Sequence, residues 1–182
     1  MDEADIAAVS AVRVRGWQAA YAGIVPQTYL SAMTVEGDTV LRRRMLSQPH
    51  RTSRDLVAVD DSGDTVGWVC FGPCRSEVSV AGRMQTQMQM EVGVEVEVRI
   101  GEVYALYVSP ELTGQGIGGE LLEEAHRQMK DQGFGTSVLW VLADNRRARR
   151  FYERAGYEAD GATQDDAYDE VTLTELRFRR VL

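Results

Sequence analysis

Residues 106–118 read Leu106-Tyr107-Val108-Ser109-Pro110-Glu111-Leu112-Thr113-Gly114-Gln115-Gly116-Ile117-Gly118, so that a strand-like run passes directly into a cluster of glycines. Gly119 follows, and helical spacing then continues to about Gln132. The first amides of a helix have no partner within it, and the helix dipole adds partial positive charge there. Glycines also let a ligand approach the backbone closely. The stretch therefore predicts an anion site whose ligand carries phosphate.

Two known phosphate-binding loops can be compared with this cluster. A P-loop ends in Gly-Lys-Ser/Thr, whereas Gly118 is followed by a second glycine, Gly119, and no lysine. A dinucleotide-binding fingerprint has the spacing of Gly114, Gly116 and Gly119, and Asp144 after the next strand could be its ribose-binding acid. That fingerprint opens the first strand–helix unit of its fold, however, and here it lies late in the chain. A nucleotide-dependent oxidoreductase remains a weaker rival interpretation.

The remaining sequence predicts alternating helices and strands without a linker or repeat. The order is helices, a hairpin, a strand, the glycine loop, a helix, a strand, a helix and further strands, which is typical of an α/β or α+β fold with a mixed sheet. At 182 residues the chain is expected to form one domain over residues 1–182. The predicted helices are 5–21, 27–33, 37–47, one after the glycines to 132, and 145–155; the predicted strands include 55–59, 66–71, 103–108, 137–142 and 171–178.

An unusually long alternating segment precedes the glycine loop. From Met84 to Val108 the even positions are mostly apolar, while the odd positions up to Arg99 are mostly polar, which is the two-residue period of a strand held far beyond a usual strand length. We interpret residues 76–99 as a long β arm or insertion in the domain. Because exposed strand edges attract other strands, we hypothesise that this arm pairs two copies of the chain as a homodimer.

Composition excludes several classes of protein. The net charge of −8 argues against a nucleic-acid partner. No apolar run reaches the length of about 20 residues that a membrane helix needs, and the acidic start at 1–5 argues against a signal peptide. Two cysteines, Cys70 and Cys74, with two histidines do not support a metal site. The sequence thus predicts a cytoplasmic protein without metal, membrane or nucleic-acid partner.

The segment Leu106–Gly118 resembles the acetyl-CoA motif of the GNAT superfamily of N-acetyltransferases. About forty residues on, Leu139–Leu142 and Asn145–Tyr157 resemble the second motif of that family, and Gly16–Pro26 looks like the start of many bacterial members. Two motifs at compatible spacing are more specific than either alone. The resemblance implies a mixed, mostly antiparallel central sheet flanked by helices and splayed between its two central parallel strands. Thr113 is a departure, because the family usually has Gln or Arg there.

The same resemblance implies acetyl transfer from acetyl-CoA, as co-substrate, to a primary amine of a small molecule or peptide by direct attack in a ternary complex. Tyr152 matches the general-acid tyrosine of the family, and Arg149 could meet a phosphate. A main-chain N–H near Tyr107 and Val108 would stabilise the oxyanion. The cofactor-binding residues expected from the resemblance are Leu106, Tyr107, Val108, Thr113, Gly114, Gln115, Gly116, Ile117, Gly118, Gly119, Asn145 and Arg149.

Glu102 is the candidate catalytic base. An acceptor amine starts protonated and must lose a proton before it attacks. Glu102 interrupts the apolar even positions four residues before Leu106, and a carboxylate on a half-buried strand is usually paired or functional. An ion pair with an arginine at the end of the sheet, or a water relay to bulk solvent, remains an alternative to a fixed base.

Two further interpretations concern the acceptor amine and a protein that binds acyl-CoA without catalysis. The sequence does not name the amine, but the resemblance implies that its pocket involves Trp17, Tyr21, Tyr29, Trp68 and the acidic loop Asp165–Glu170. The aromatic residues are alternatively part of the core, and the acidic loop either attracts a cationic amine or is a solvated surface. A non-catalytic acyl-CoA-binding sensor or scaffold with the same fold is the alternative to an enzyme.

Overall fold

In a computed structural model the described residues are 1–75 and 99–182. The arm or insertion predicted at residues 76–99 therefore lies outside the described residues, except for Arg99. The helices are α1 Ile6–Ala20, α2 Gln27–Ala32, α3 Val35–Leu46, α4 Ile117–Asp131 and α5 Arg146–Arg154, with a 3-10 turn at Pro110–Leu112. The strands are β1 Arg54–Val59, β2 Thr65–Pro73, β3 Arg99–Val108, β4 Phe134–Leu142, β5 Glu158–Tyr168 and β6 Val171–Val181.

The six strands form one sheet in the order β1-β2-β3-β4-β6-β5. The neighbours β3 and β4 run parallel, and the other neighbouring strands run antiparallel. The helix α4 supplies the crossover that a parallel connection requires. The predicted fold class is confirmed: a mixed, mostly antiparallel sheet is flanked by helices.

Each face of the central strands is covered by helices. The apolar side of α4, with the fully buried Leu122 and Met129, packs on β2, β3 and β4, as its spacing predicted. Helix α1 packs on the other face, and Gly16 of α1 lies so close to the ring of Tyr107 that a Cβ there would come within 2.9 Å of it. This close approach brings α1 against the C-terminal half of β3, which is the part of the sheet that carries the site.

A chain of polar side chains crosses the core behind β4. The hydroxyl of Tyr157 lies 2.6 Å from Ser137 Oγ and 2.7 Å from His126 Nε2, and Arg180 Nη1 donates to His126 Nδ1 at 3.1 Å. Because arginine can only donate, His126 Nδ1 accepts and the proton of the neutral ring is on Nε2. Burial, reinforced by the charge of Arg180, lowers the pKa of His126 to about 4.

The lowered pKa of His126 predicts a loss of stability in acid. The unfolded chain binds a proton at this histidine near its ordinary pKa of 6.5, whereas the folded chain does so near pH 4. The contribution is therefore complete above about pH 6.5 and falls by about 3 kcal/mol as the pH drops to about 4. Urea unfolding measured between pH 6.5 and 4 should show that the free energy of unfolding falls more steeply with decreasing pH in the native protein than in His126→Gln. Equal pH dependence in the two proteins would contradict this assignment to His126.

Candidate functional site

Strands β3 and β4 separate after a short stretch of pairing. Their register runs from Arg99 opposite Phe134 to Glu102 opposite Val138 and ends there. Strand β3 nevertheless continues to Val108 along β2, and β4 continues to its end along β6. The two strands thus present unpaired backbone edges to each other beyond Glu102. Such edges are free to pair with an extended ligand.

The glycine loop next to this gap is open. Gly114 and Gly116 have φ values of 88° and 94°, in the left-handed region that favours glycine. Among the described residues, no atom other than those of the adjoining backbone lies within 4 Å of where a Cβ would be at Gly114, Gly116 or Gly119. Gly116 is the residue before α4, and no side chain in this described part of the chain caps the helix there. A ligand can therefore reach the main chain of this loop without a steric barrier.

The backbone amides of residues 114–118 have no hydrogen-bond acceptor among the described residues. The next two amides, those of Gly119 and Glu120, already donate to the carbonyl of Gly116 at 2.8 and 3.1 Å. Orphan amides at a helix start, combined with the helix dipole, form an anion site. The Thr113 hydroxyl donates to the carbonyl of Pro110 at 2.8 Å and so closes the turn that leads into this loop.

A bulge in β3 changes which side chains share a face. The pairing with β2 skips Tyr104, so two residues of β3 lie where an unbroken ladder would have one. As a result, Glu102 and Tyr107 line the same cavity on the α1 side, whereas Leu106 packs on the α4 side. The expected alternation, in which Glu102 shares a face with Leu106, therefore does not hold through this strand.

The carboxylate of Glu102 is buried and accepts hydrogen bonds at both of its oxygens. Only 1% of Glu102 is exposed. The amide of Arg75 donates to Oε2 at 2.9 Å, and the Arg75 guanidinium donates to Oε1 from Nε at 3.1 Å and from Nη2 at 2.5 Å. Burial acts to lower the pKa of Arg75, but the hydrogen bonds to Glu102 outweigh it and the pKa is raised. The ion pair considered from the sequence is thus present, and its carboxylate also borders the cavity.

Tyr152 of α5 lies among aromatic rings with a free hydroxyl. Its ring packs edge-on against Phe151 and Tyr157, at centroid distances of 5.0 and 5.9 Å. Within the described parts of the chain, the Tyr152 hydroxyl has no hydrogen-bond partner. Burial raises the pKa of Tyr152, and Tyr21 and Tyr157 add to the rise. The phenol therefore keeps its proton at neutral pH and is available as a donor.

Asn145 and Arg149 are held at the start of α5. Asn145 is buried, and its Oδ1 accepts from the amide of Ala148 at 3.0 Å, which caps the helix. Arg149 Nη1 donates to the carbonyl of Ala143 at 3.1 Å. Arg149 Nε is buried and has no partner among the described residues. The cap explains Asn145 structurally, so a contact of either residue with a cofactor stays a prediction.

A cavity of about 580 Å³ opens on the α1 side of β3. Aromatic rings and charged groups share its wall. Trp68, a sequence candidate, lies instead in a neighbouring cavity of about 380 Å³ beneath α3. The main cavity is lined by Arg13, Trp17, Tyr21, Tyr29, Arg75, Glu102, Val103, Tyr104, Tyr107, Trp140, Gln164, Asp166, Tyr168 and Glu175.

The model of the Acetyltransferase (GNAT) family matches residues 18–157 of this chain. The chain belongs to the GNAT family. An uncharacterised N-acetyltransferase of Bacillus subtilis (strain 168), YuaI, is 29% identical over 78% of this chain and 68% of its own length. A mycothiol acetyltransferase of Streptomyces coelicolor is 42% identical over 35% of this chain, a match that spans about a fifth (21%) of that relative.

Two solved structures of N-acetyltransferases share this fold. The PaiA N-acetyltransferase of Thermoplasma acidophilum, crystallised with coenzyme A, covers 100% of this chain and 96% of its own, with a TM-score of 0.70 and 20% identity. A ribosomal-protein-alanine N-acetyltransferase of Brucella melitensis gives a TM-score of 0.66 at 19% identity, over 100% and 97% of the two chains. At these identities the likeness concerns the fold, and family membership makes this chain a transferase of acyl groups.

The described residues hold neither a membrane-spanning helix nor a metal-ligand cluster. None of the helices in residues 1–75 and 99–182 is long and apolar enough to cross a membrane. In the same two ranges no group of three or more His, Cys, Asp or Glu side chains is placed to hold a metal ion.

Several residues of this GNAT site carry no signal in the sequence. Arg75 precedes Glu102 by 27 positions, and only the pairing of β2 with β3 brings the two together. Glu175 and Gln164 are neighbours because β5 and β6 are paired, with Gln164 Nε2 donating to Glu175 at 2.6 Å. Trp140 belongs to a strand that reads simply as buried. Such residues can be assigned to the site only once the strand order is known.

Proposed function

We propose that this chain transfers an acetyl group from acetyl-CoA to a primary amine of a small molecule or peptide, by direct attack in a ternary complex. The observation that carries the proposal is the run of amides at residues 114–118 that have no acceptor in residues 1–75 and 99–182 and that lie beside the edges of β3 and β4 where these two strands no longer pair. A diphosphate and an extended amide-bearing arm are the chemical complements of these two features.

The residues present fit coenzyme A. The amides of Gly114–Gly118 would hold its diphosphate, with Gly119 leaving room beside them. The free edge of Leu106–Val108 would pair with the pantetheine arm as an added strand. The guanidinium of Arg149 donates to the carbonyl of Ala143 through Nη1, and in our proposal its other terminal nitrogen donates to a phosphate oxygen. When bound, acetyl-CoA supplies an acetyl group activated as a thioester.

The main chain of β3 would stabilise the charge that develops on the acetyl oxygen. In our proposal an N–H near Tyr107 and Val108, on the edge that faces the gap, donates to that oxygen. Because β4 has separated from this edge, no strand competes for the donor. A fixed backbone donor needs no reorganisation during the reaction, which is how such a group lowers the barrier.

We assign the removal of the amine's proton to Glu102, directly or through a water molecule. Arg75 fixes the carboxylate from three donors, and the carboxylate borders the cavity beside the strand gap. A relay of water to bulk solvent is the remaining alternative, and the two differ in their response to substitution.

Glu102→Gln tests this assignment. We expect kcat/KM for the amine to fall about a hundredfold at pH 7, in the range typical of a lost general base. The variant's rate should recover as the pH rises, because more of the amine then arrives deprotonated. CoA affinity and the thermal unfolding midpoint serve as controls for folding. An unchanged kcat/KM at pH 7 in a folded variant would favour the water relay.

Release of free CoA tests the proposed function itself. Acetyl-CoA is mixed with a library of primary amines, and the thiol set free is followed spectrophotometrically. Amine-dependent release, with the acetylated amine identified by mass spectrometry, is the expected result. Tight binding of acetyl-CoA without release for any amine would instead support the sensor or scaffold.

A further inference from the structure

The charged side chains of the 580 Å³ cavity are unevenly balanced. Both of its arginines are already paired with carboxylates: Arg13 lies 2.6 Å from Asp38, which it shares with Arg42, and Arg75 pairs with Glu102. The other two carboxylates, Asp166 and Glu175, have no ion-pair partner in residues 1–75 and 99–182. The cavity therefore offers negative charge that the described protein does not neutralise.

Glu175 is the more buried of these two acids. It lies half-buried on β6, and within residues 1–75 and 99–182 its carboxylate accepts a hydrogen bond from the neutral side-chain amide of Gln164. Burial raises the pKa of Glu175, and the negative charges of Asp166 and Glu102 add to the rise, although Arg75 opposes it. Withdrawing a carboxylate from water without a cation costs free energy. A cationic ligand placed beside Glu175 would recover part of that cost.

The wall beside these acids is aromatic. The ring of Trp17 lies 4.5 Å from Tyr21, 6.2 Å from Tyr29 and 6.1 Å from Tyr168, measured between centroids. Tyr29 and Tyr168 meet edge to face at 5.2 Å. Aromatic faces attract ammonium groups and cover alkyl chains. Asp166 and Tyr168 alternate along β5 and so share the face that borders the cavity.

We propose, building on the acetyl-transfer function above, that the acceptor is a small aliphatic amine with a second positive charge, of the diamine class. One amino group would lie at the strand gap near Glu102, and the other, as an ammonium, between Glu175 and Asp166 against the aromatic wall. An acceptor with a carboxylate at that second position would meet like charge. The class is thus set by the far end of the molecule and not by the reacting amine.

The reaction leaves the second ammonium unchanged. The reacting amine loses one proton to Glu102 or to water, and its nitrogen lone pair then forms the new N–C bond to the acetyl carbon. As the C–S bond breaks, the nitrogen gives up a second proton, and sulfur keeps the C–S electron pair and takes up one proton, so that the amide, the thiol of CoA and one released proton are formed. The neutral amide formed has lost one positive charge, so its attraction to the acidic cavity is weaker than that of the substrate.

Three acceptors of matched length test the class: 1,4-diaminobutane, 1-aminobutane and 4-aminobutanoate. We expect kcat/KM for the diamine to exceed that of the monoamine by about tenfold. This ratio reflects the combined interaction free energy of one partly buried charge pair and one cation–π contact. The carboxylate-bearing amine should be the poorest substrate. In Glu175→Gln the ratio of diamine to monoamine should fall several-fold.

Asp165→Asn is the matched control. Asp165 precedes Asp166 on β5, but it lies on the opposite face and accepts a hydrogen bond from the Thr174 hydroxyl at 2.8 Å. The same change of charge at this position should leave the diamine-to-monoamine ratio as it is. A fall in the ratio equal to that of Glu175→Gln would mean that general surface charge, and not the cavity, selects the acceptor.

The outcomes separate this inference from the function on which it rests. If all three amines release CoA at similar rates, or if Glu175→Gln keeps the native ratio, acetyl transfer stands and the diamine class is overturned. If no amine releases CoA, acetyl transfer fails. Calorimetry with 1,4-diaminobutane in the presence of CoA then tests the cation site alone: binding that Glu175→Gln weakens supports it, and absence of binding overturns it.

Discussion

Tyr152→Phe is expected to lower kcat about a hundredfold, which is at the lower end for loss of a general acid. The thiolate that leaves has an ordinary pKa near ~8.5 and is a better leaving group when a donor meets it. The Tyr152 hydroxyl has no protein partner among the described residues, and its raised pKa keeps the proton in place. Because that pKa lies above the thiol's, the hydroxyl would act mainly by hydrogen bonding as the charge develops.

Comparing the effect of Tyr152→Phe on kcat with its effect on acetyl-CoA binding distinguishes a catalytic hydroxyl from a ring that serves only in packing. Phenylalanine keeps the ring contacts with Phe151 and Tyr157, so the acetyl-CoA Kd and the thermal unfolding midpoint should hardly change. Steady-state kinetics and calorimetry measure the two effects separately. If kcat stays within about twofold of the native value, Tyr152 is not the donor.

Substitution of Gly116 is expected to affect cofactor binding most. Asn and Asp tolerate the left-handed backbone that Gly116 adopts better than other residues do, and they have nearly the same size. Gly116→Asp adds a negative charge beside the free amides. At about 5 Å and an effective dielectric of about 20, repulsion of one unit charge is about 3 kcal/mol. We therefore expect CoA to bind about a hundredfold more weakly to Gly116→Asp than to Gly116→Asn.

The Asn variant controls for the added side chain. Both variants fill the space that Gly116 leaves open, and only the aspartate is charged. Calorimetric Kd values for CoA at low and high salt complete the comparison, because salt screens the added charge and should narrow the difference in Kd between the two variants. Equal Kd values for the two variants would show that the diphosphate binds elsewhere.

The parts of the fold that depend on local sequence could be predicted. The glycine loop, the amphipathic side of α4 and the hairpin of β1 and β2 follow from turn residues and spacing, and all three are present. The position of β6 between β4 and β5 could not be predicted, because strand order arises from pairing between distant segments. The cavity acids of β5 and β6 depend on that order, so Glu175 carried no signal.

Glu102 shows how the site prediction was limited. Its residue type on a half-buried strand correctly indicated either a partner or a function, and Arg75 is that partner. The alternation rule nevertheless assigned it to the face of Leu106, because a bulge at Tyr104 is invisible in a two-residue pattern. Its catalytic role, like the cofactor roles of Asn145 and Arg149, stays a prediction.

An amide NMR titration with coenzyme A tests the central claim most directly. At 20.3 kDa the protein suits ¹H–¹⁵N correlation spectra. We expect the largest downfield shifts at the amides of residues 114–118, because these amides lack acceptors in the described protein. Smaller shifts should accompany them along Leu106–Val108. If calorimetry shows the protein saturated with coenzyme A and those amides do not move, the glycine loop does not bind the cofactor and the account is wrong.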